Sequence, residues 1–161
     1  RSATIRPIIP SEMRPMVPGL IRRAYEVGMR HYDTAAVYQR GRNEEMVGSM
    51  IKEMGVRDKV AVATKVFLRG NAVSPSDPKS REAFKQIFEG SLKRLQMDHV
   101  DILYHHNVSR TEALMFEPYL NALLKLKKAG KTRFIGVSTH KNEPEIIRAV
   151  NAVEDLTAHD A

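Results

Sequence analysis

At 161 residues, 42% apolar and 28% charged, the chain is long enough for one compact α/β domain with a sizeable core. Cysteine is absent, which excludes disulfides, thiolate metal sites and cysteine nucleophiles and fits a reducing, cytoplasmic setting; no run approaches the roughly 18 apolar residues of a membrane span. The net charge of +7 is spread along helix faces at Lys85, Lys93, Arg94, Lys125, Lys127 and Lys128, with no basic run interleaved with aromatics, so a solvated surface is favoured over a nucleic-acid partner.

The first apolar stripe of helical period is Val17, Leu20, Ile21, Ala24 and Val27, closed by Gly28 as a left-handed cap. A strand-like run follows at Met29–Ala35. Met46, Val47, Met50, Ile51 and Met54 make a second helical stripe, entered at Asn43 as its N-cap and closed by Gly55. The run Lys59–Val66 reads as the next strand, and the Pro- and Ser-rich stretch from Asn71 to Ser80 as a long βα loop. Phe84, Ile87, Phe88, Leu92 and Leu95 predict the third helix, ahead of a strand at Val100–His106. Tyr119, Leu120, Leu123, Leu124 and Leu126 predict a fourth, stopped by Gly130, ahead of a strand at Arg133–Thr139. The last helix begins at Asn142, with Glu145 as a capping-box partner, and runs through Ile146, Ile147, Val150 and Val153.

The order is α(βα)4. Strict alternation predicts parallel strands joined by right-handed helical crossovers. Both a doubly wound open sheet and a (β/α)8 barrel fit this order. A whole barrel needs about 200 residues or more, so the chain supplies about half of one.

Each of the first three strands ends in an ionisable residue: Asp33, then Lys65, then the pair His105–His106. Tyr38 lies in the loop just beyond Asp33. Strand ends of a parallel sheet converge on one rim, where ligands bind. Taken singly, an Asp there caps a turn, a Lys snorkels to solvent, and a His or Tyr packs. Their joint appearance on successive strand ends points instead to one pocket.

At these residues the chain resembles the aldo-keto reductase family. Gly28-Met29-Arg30-His31-Tyr32-Asp33-Thr34-Ala35-Ala36-Val37-Tyr38 is similar to the family signature around its Asp and Tyr. Gly41-Arg42-Asn43-Glu44-Glu45-Met46-Val47-Gly48 is similar to that signature's tail. Val62-Ala63-Thr64-Lys65-Val66 resembles the lysine strand. Ser91-Leu92-Lys93-Arg94-Leu95, with Val100-Asp101-Ile102-Leu103-Tyr104-His105-His106, resembles the histidine segment. Gly130-Lys131-Thr132-Arg133-Phe134-Ile135-Gly136-Val137-Ser138 resembles the strand that touches the nicotinamide.

The resemblance implies a partial (β/α)8 TIM barrel of about four to five βα units, a single incomplete domain over 1–161, truncated at both ends. It also implies an NAD(P)H-dependent carbonyl reductase with NADPH as cofactor, NADH being the alternative, and a small carbonyl compound as substrate. No metal is implied. Tyr38 would be the general acid, Lys65 its cationic neighbour, Asp33 the partner of Lys65, and His106 the group that orients the carbonyl. Ser138 and Thr139 would be cofactor-binding, with Thr139 standing where the family commonly has Asn. Some relatives on this fold are cofactor-sensing regulatory subunits, which is a competing expectation; an open-sheet binding module is another.

The division of labour has a physical basis. A phenol ordinarily titrates near ~10, too high to release a proton readily at neutral pH. An ammonium about 4 Å away, at an effective dielectric near 20, favours the phenolate by on the order of 4 kcal/mol before screening. A buried ammonium needs a carboxylate to stay charged. The family spacing from the strand Asp101 selects His106, and alternation puts Ile102, Tyr104 and His106 on one face with Leu103 and His105 on the other. In the lysine strand Ala61, Ala63 and Lys65 share a face, leaving Val60, Val62 and Thr64 toward helices. The isolated half barrel is expected to be inactive and marginally stable, since it leaves parallel strand edges open.

Overall fold

The computed structural model describes residues 16–68, 79–114 and 117–158. The Pro- and Ser-rich loop expected from Asn71 to Ser80 lies almost wholly outside them. In chain order the elements are α1 (Met16–Glu26), β1 (His31–Asp33), α2 (Arg42–Met54), β2 (Ala61–Val66), α3 (Lys79–Leu95), β3 (Val100–His105), α4 (Thr111–Leu114), α5 (Glu117–Lys128), β4 (Thr132–Val137) and α6 (Glu143–Ala158). The strands pair in the order β1-β2-β3-β4, all parallel. A doubly wound sheet reverses its strand order at a switch point. Sequential neighbours instead form a stretch of barrel wall, which excludes the open-sheet alternative.

The strands are shorter than their apolar runs, yet the ladder outlasts them. Thr34 N–H donates to Ala63 O at 2.9 Å, Ala36 N–H to Lys65 O at 3.2 Å, His106 N–H to Val66 O at 2.9 Å and Ser138 N–H to His105 O at 3.0 Å. The polar residues at each strand end are therefore held in register at one rim.

Alternation along the strands decides which face is covered. Val62 and Val66 of β2 and Leu103 of β3 are fully buried in one cluster with Ile51 of α2 and Phe84, Phe88 and Leu95 of α3. Full burial of each such side chain favours folding by roughly 1.5–3 kcal/mol. Thr64 also points to this side, where its hydroxyl meets Glu44 of α2. Lys65 and Tyr104 occupy the opposite, interior face. A Cβ on Gly136 of β4 would lie 3.0 Å from the Tyr104 ring, so glycine there leaves room for that ring. A second cluster of Val108, Leu114 and Ile146 joins α4 to α6. The short α4 carries no helical period long enough to be read in the sequence.

Gly28, Gly55 and Gly130 take the left-handed conformation expected of helix stops. The N-cap of α2 differs from expectation. Gly41, at φ +89°, occupies the cap position and Asn43 lies inside the first turn. Its Oδ1 accepts the Thr34 hydroxyl at 2.6 Å, so a bond to β1 replaces the cap. At α6, Asn142 does stand just before the helix, and its carbonyl accepts Ile146 N–H at 3.0 Å. Its side-chain amide donates across the loop to Ser109 O at 2.9 Å.

At the amino rim Asp101 ties three segments together. Its carboxylate accepts Val62 N–H at 2.9 Å, Arg57 Nη1 at 2.9 Å and Arg133 Nη1 at 3.1 Å. Burial alone would raise this carboxyl, but the Val62 N–H and the two guanidinium groups outweigh it and hold it below the usual carboxylate range.

Helices α2 and α3 meet almost backbone to backbone. A Cβ on Gly48 would fall 2.2 Å from the Leu95 carbonyl oxygen. Gly48→Ala is therefore expected to destabilise the fold by about 1–3 kcal/mol in urea unfolding, since backbone rather than a pliant side chain must yield. An unchanged midpoint would refute that contact.

Candidate active site

The geometry starts with Lys65. It sits near the end of β2, is 6% exposed, and presents its ammonium to the ends of two neighbouring segments. It forms an ion pair with Asp33, the last residue of β1. It also donates to Thr34 O at 2.9 Å and reaches the Tyr38 hydroxyl oxygen at 3.5 Å, the outer limit of a hydrogen bond. An ammonium has three N–H groups, and each here has an acceptor. A buried charge is tolerated on those terms.

Tyr38 reaches that position through a tight turn. Its N–H donates to Ala35 O at 3.0 Å, and a 3-10 turn follows over Tyr38–Gly41. Tyr38 is 39% exposed, and its hydroxyl faces Lys65.

His106, one residue past β3, stands edge-on to the Tyr38 ring with centroids 5.8 Å apart, and edge-on to Phe67 at 5.9 Å. Its Nδ1 is buried without a hydrogen-bond partner among the described residues. Burial lowers its affinity for a proton, and the charges of Lys65 and His140 lower it further, with Asp33 partly opposing them. The ring is therefore held toward its neutral form, with one nitrogen able to donate. His105 points the other way, 6.5 Å edge-on from Phe84 of α3. Burial, followed by the charge of His106, pushes it down to about 4.

Asp33, Tyr38, Lys65 and His106 thus share one rim, and His105 lies on the helix side as alternation predicts. Ser138 comes to the same rim, where its Oγ accepts Asn107 N–H at 3.0 Å. Thr139 is engaged in its own turn: its hydroxyl donates to Lys141 O at 2.7 Å and accepts Lys141 N–H at 3.2 Å. The reading of the residues overlooked the Thr34 carbonyl and Phe67. Period-two alternation from Lys65 puts Phe67 on the same face, so the signal for it was present. Among the described residues, no helix is long and apolar enough to cross a membrane.

The family model described as "Aldo/keto reductase family" matches residues 11–158, and the chain belongs to that family. It is 35% identical over 134 residues to the methylglyoxal reductase DkgB of Salmonella typhi, covering 83% of this chain and 46% of that protein. It is 38% identical over 132 residues to the aldo-keto reductase YhdN of Bacillus subtilis, covering 81% and 39%. Among solved structures it is similar to an aldo/keto reductase from Klebsiella pneumoniae in complex with NADP and acetate, with a TM-score of 0.68 and 29% identity, covering 87% of this chain and 44% of that one. The chain spans less than half the length of each of these relatives.

Proposed function

We propose that the full-length protein is an NADPH-dependent carbonyl reductase that turns small aldehydes or ketones into alcohols, with Tyr38 as the general acid. One observation carries this reading: the Lys65 ammonium bridges the Asp33 carboxylate and the Tyr38 hydroxyl at adjoining strand ends. The nicotinamide, when bound, supplies the hydride to the carbonyl carbon. Tyr38 gives its proton to the carbonyl oxygen as charge builds there, and Lys65 favours the phenolate left behind. Asp33 pairs with the Lys65 ammonium and fixes its place in the buried wall. His106, with Nδ1 buried, has Nε2 left to donate to the carbonyl oxygen and fix its direction.

The donor set suits a nicotinamide carboxamide in one respect. Ser138 Oγ accepts from Asn107 N–H and so keeps its own O–H free to donate to an amide oxygen. Thr139 has both hydroxyl functions occupied by Lys141, and its part is to shape the turn. The adenosine end of the cofactor falls to parts of the barrel outside these residues, and on this reading the 161-residue piece alone is inactive.

The test is carbonyl-dependent loss of NADPH absorbance by the purified full-length protein across a panel of small aldehydes and ketones. Turnover with several members is expected. Tight NADPH binding without turnover on any of them would replace this reading with that of a cofactor sensor.

A further inference from the structure

Behind the Tyr38 turn lies an ion pair, its carboxylate buried and its guanidinium half-buried, to which the reductase reading gives no role. Glu44, in the first turn of α2, is fully buried. Its Oε1 accepts the Thr64 hydroxyl at 2.5 Å and its Oε2 accepts Arg94 Nε at 2.7 Å. Arg94 comes from the last turn of α3 and also donates to Ser91 Oγ at 3.1 Å. Its side chain lies flat on Gly41, where a Cβ would meet Arg94 Cδ at 2.6 Å and Nε at 2.7 Å.

Gly41 closes the turn that Tyr38 opens. Three consecutive residues of that turn are left-handed: Gln39 at φ 50°, Arg40 at φ 59° and Gly41 at φ 89°. Two of them are not glycine, and such backbone persists only where its surroundings over-determine it. Next to Glu44, Asn43 holds the Thr34 hydroxyl at 2.6 Å. Two successive residues of α2 therefore grip Thr34 and Thr64, the chain neighbours of Asp33 and Lys65.

A buried ion pair contributes little net stability, because desolvation offsets its attraction, and apolar residues of equal volume would join α2 to α3 as well. What the pair adds is a fixed geometry: a planar guanidinium locked to a carboxylate at the base of the turn. Granted the reductase reading, we infer that Glu44 and Arg94 are positioning residues that hold the Tyr38 hydroxyl against the Lys65 ammonium.

The experiment uses the full-length protein and the double variant Glu44→Gln/Arg94→Met, which removes both charges at nearly constant volume. The kcat for carbonyl reduction is expected to fall on the order of tenfold, since misplacement by a fraction of an ångström has that scale of effect. NADPH affinity should stay within about twofold, because no cofactor contact is touched. The KM for the carbonyl compound should likewise stay within about twofold, because an interaction made only in the transition state lowers kcat and kcat/KM together. Thr64→Val, which removes one bond to Glu44 at equal size, should lower kcat in the same way by less, and it decides the matter if the double variant does not fold. A folded double variant with wild-type kcat, beside an inactive Tyr38→Phe, overturns the positioning role. So does a loss that falls on KM alone. A fully active Tyr38→Phe instead brings down the reductase reading itself.

Discussion

Replacing Tyr38 by phenylalanine in the full-length protein is expected to lower kcat for carbonyl reduction by roughly 10²–10⁴-fold, the usual worth of a positioned general acid. That range corresponds to about 2.7–5.5 kcal/mol of transition-state stabilisation. The substitution removes one oxygen and little else. The ring keeps its edge-on contact with His106 at 5.8 Å, and Lys65 keeps Asp33 and Thr34 O as partners. Fold stability and cofactor affinity should therefore change little, which separates lost chemistry from lost structure. Steady-state assays of NADPH oxidation, paired with a thermal melt, check this. A variant within twofold of wild type would remove Tyr38 from the reaction.

Acidification from pH 7 to pH 5 is expected to cost the folded state about 2 kcal/mol at His105, rising to about 3 kcal/mol at pH 4. The imidazole is pushed down to about 4 in the folded protein by burial and by His106. The unfolded chain leaves it near its usual value of 6.5. Between those two values the unfolded state binds more protons, so stability rises with pH and is lost as pH falls through the unfolded value. Below about 4 both states are protonated and the loss levels off. Urea unfolding at pH 7 and pH 5 measures the slope. His105→Gln, which cannot take up the proton, should flatten it by about 2 kcal/mol over that interval. An identical slope in the variant would show that His105 is not held neutral.

Much of the site could be read from the residues because its members sit at fixed places in a repeated unit. Asp33, Lys65 and His106 each end an apolar run, and parallel strands bring such ends together. Alternation separated His106 from His105, whose ring faces Phe84 as a side chain on the covered face should. Gly28, Gly55 and Gly130 stop their helices for a local reason, the left-handed backbone. The misplaced or missing features were those decided by distant partners. Asn43 has the composition of a cap, but Thr34 claims its oxygen and Gly41 takes the cap position. Arg94 reads as a solvated surface charge and Glu44 as one residue of the signature's tail, fifty positions away, until the packing of α2 on α3 makes them a pair. Ser138 and Thr139 were expected to serve a cofactor, but the bonds they make within the chain, from Asn107 N–H to Ser138 Oγ and between the Thr139 hydroxyl and Lys141, were not foreseen. Hydrogen bonds of that kind have no periodicity to announce them.

The carboxylate of Asp101 joins the amino ends of neighbouring strands, a full strand length from Tyr38 and His106. If the proposed function holds, cohesion and reactivity occupy opposite ends of the same wall. On the reductase reading, a change at the rim can alter what is accepted without touching the fastening beneath it.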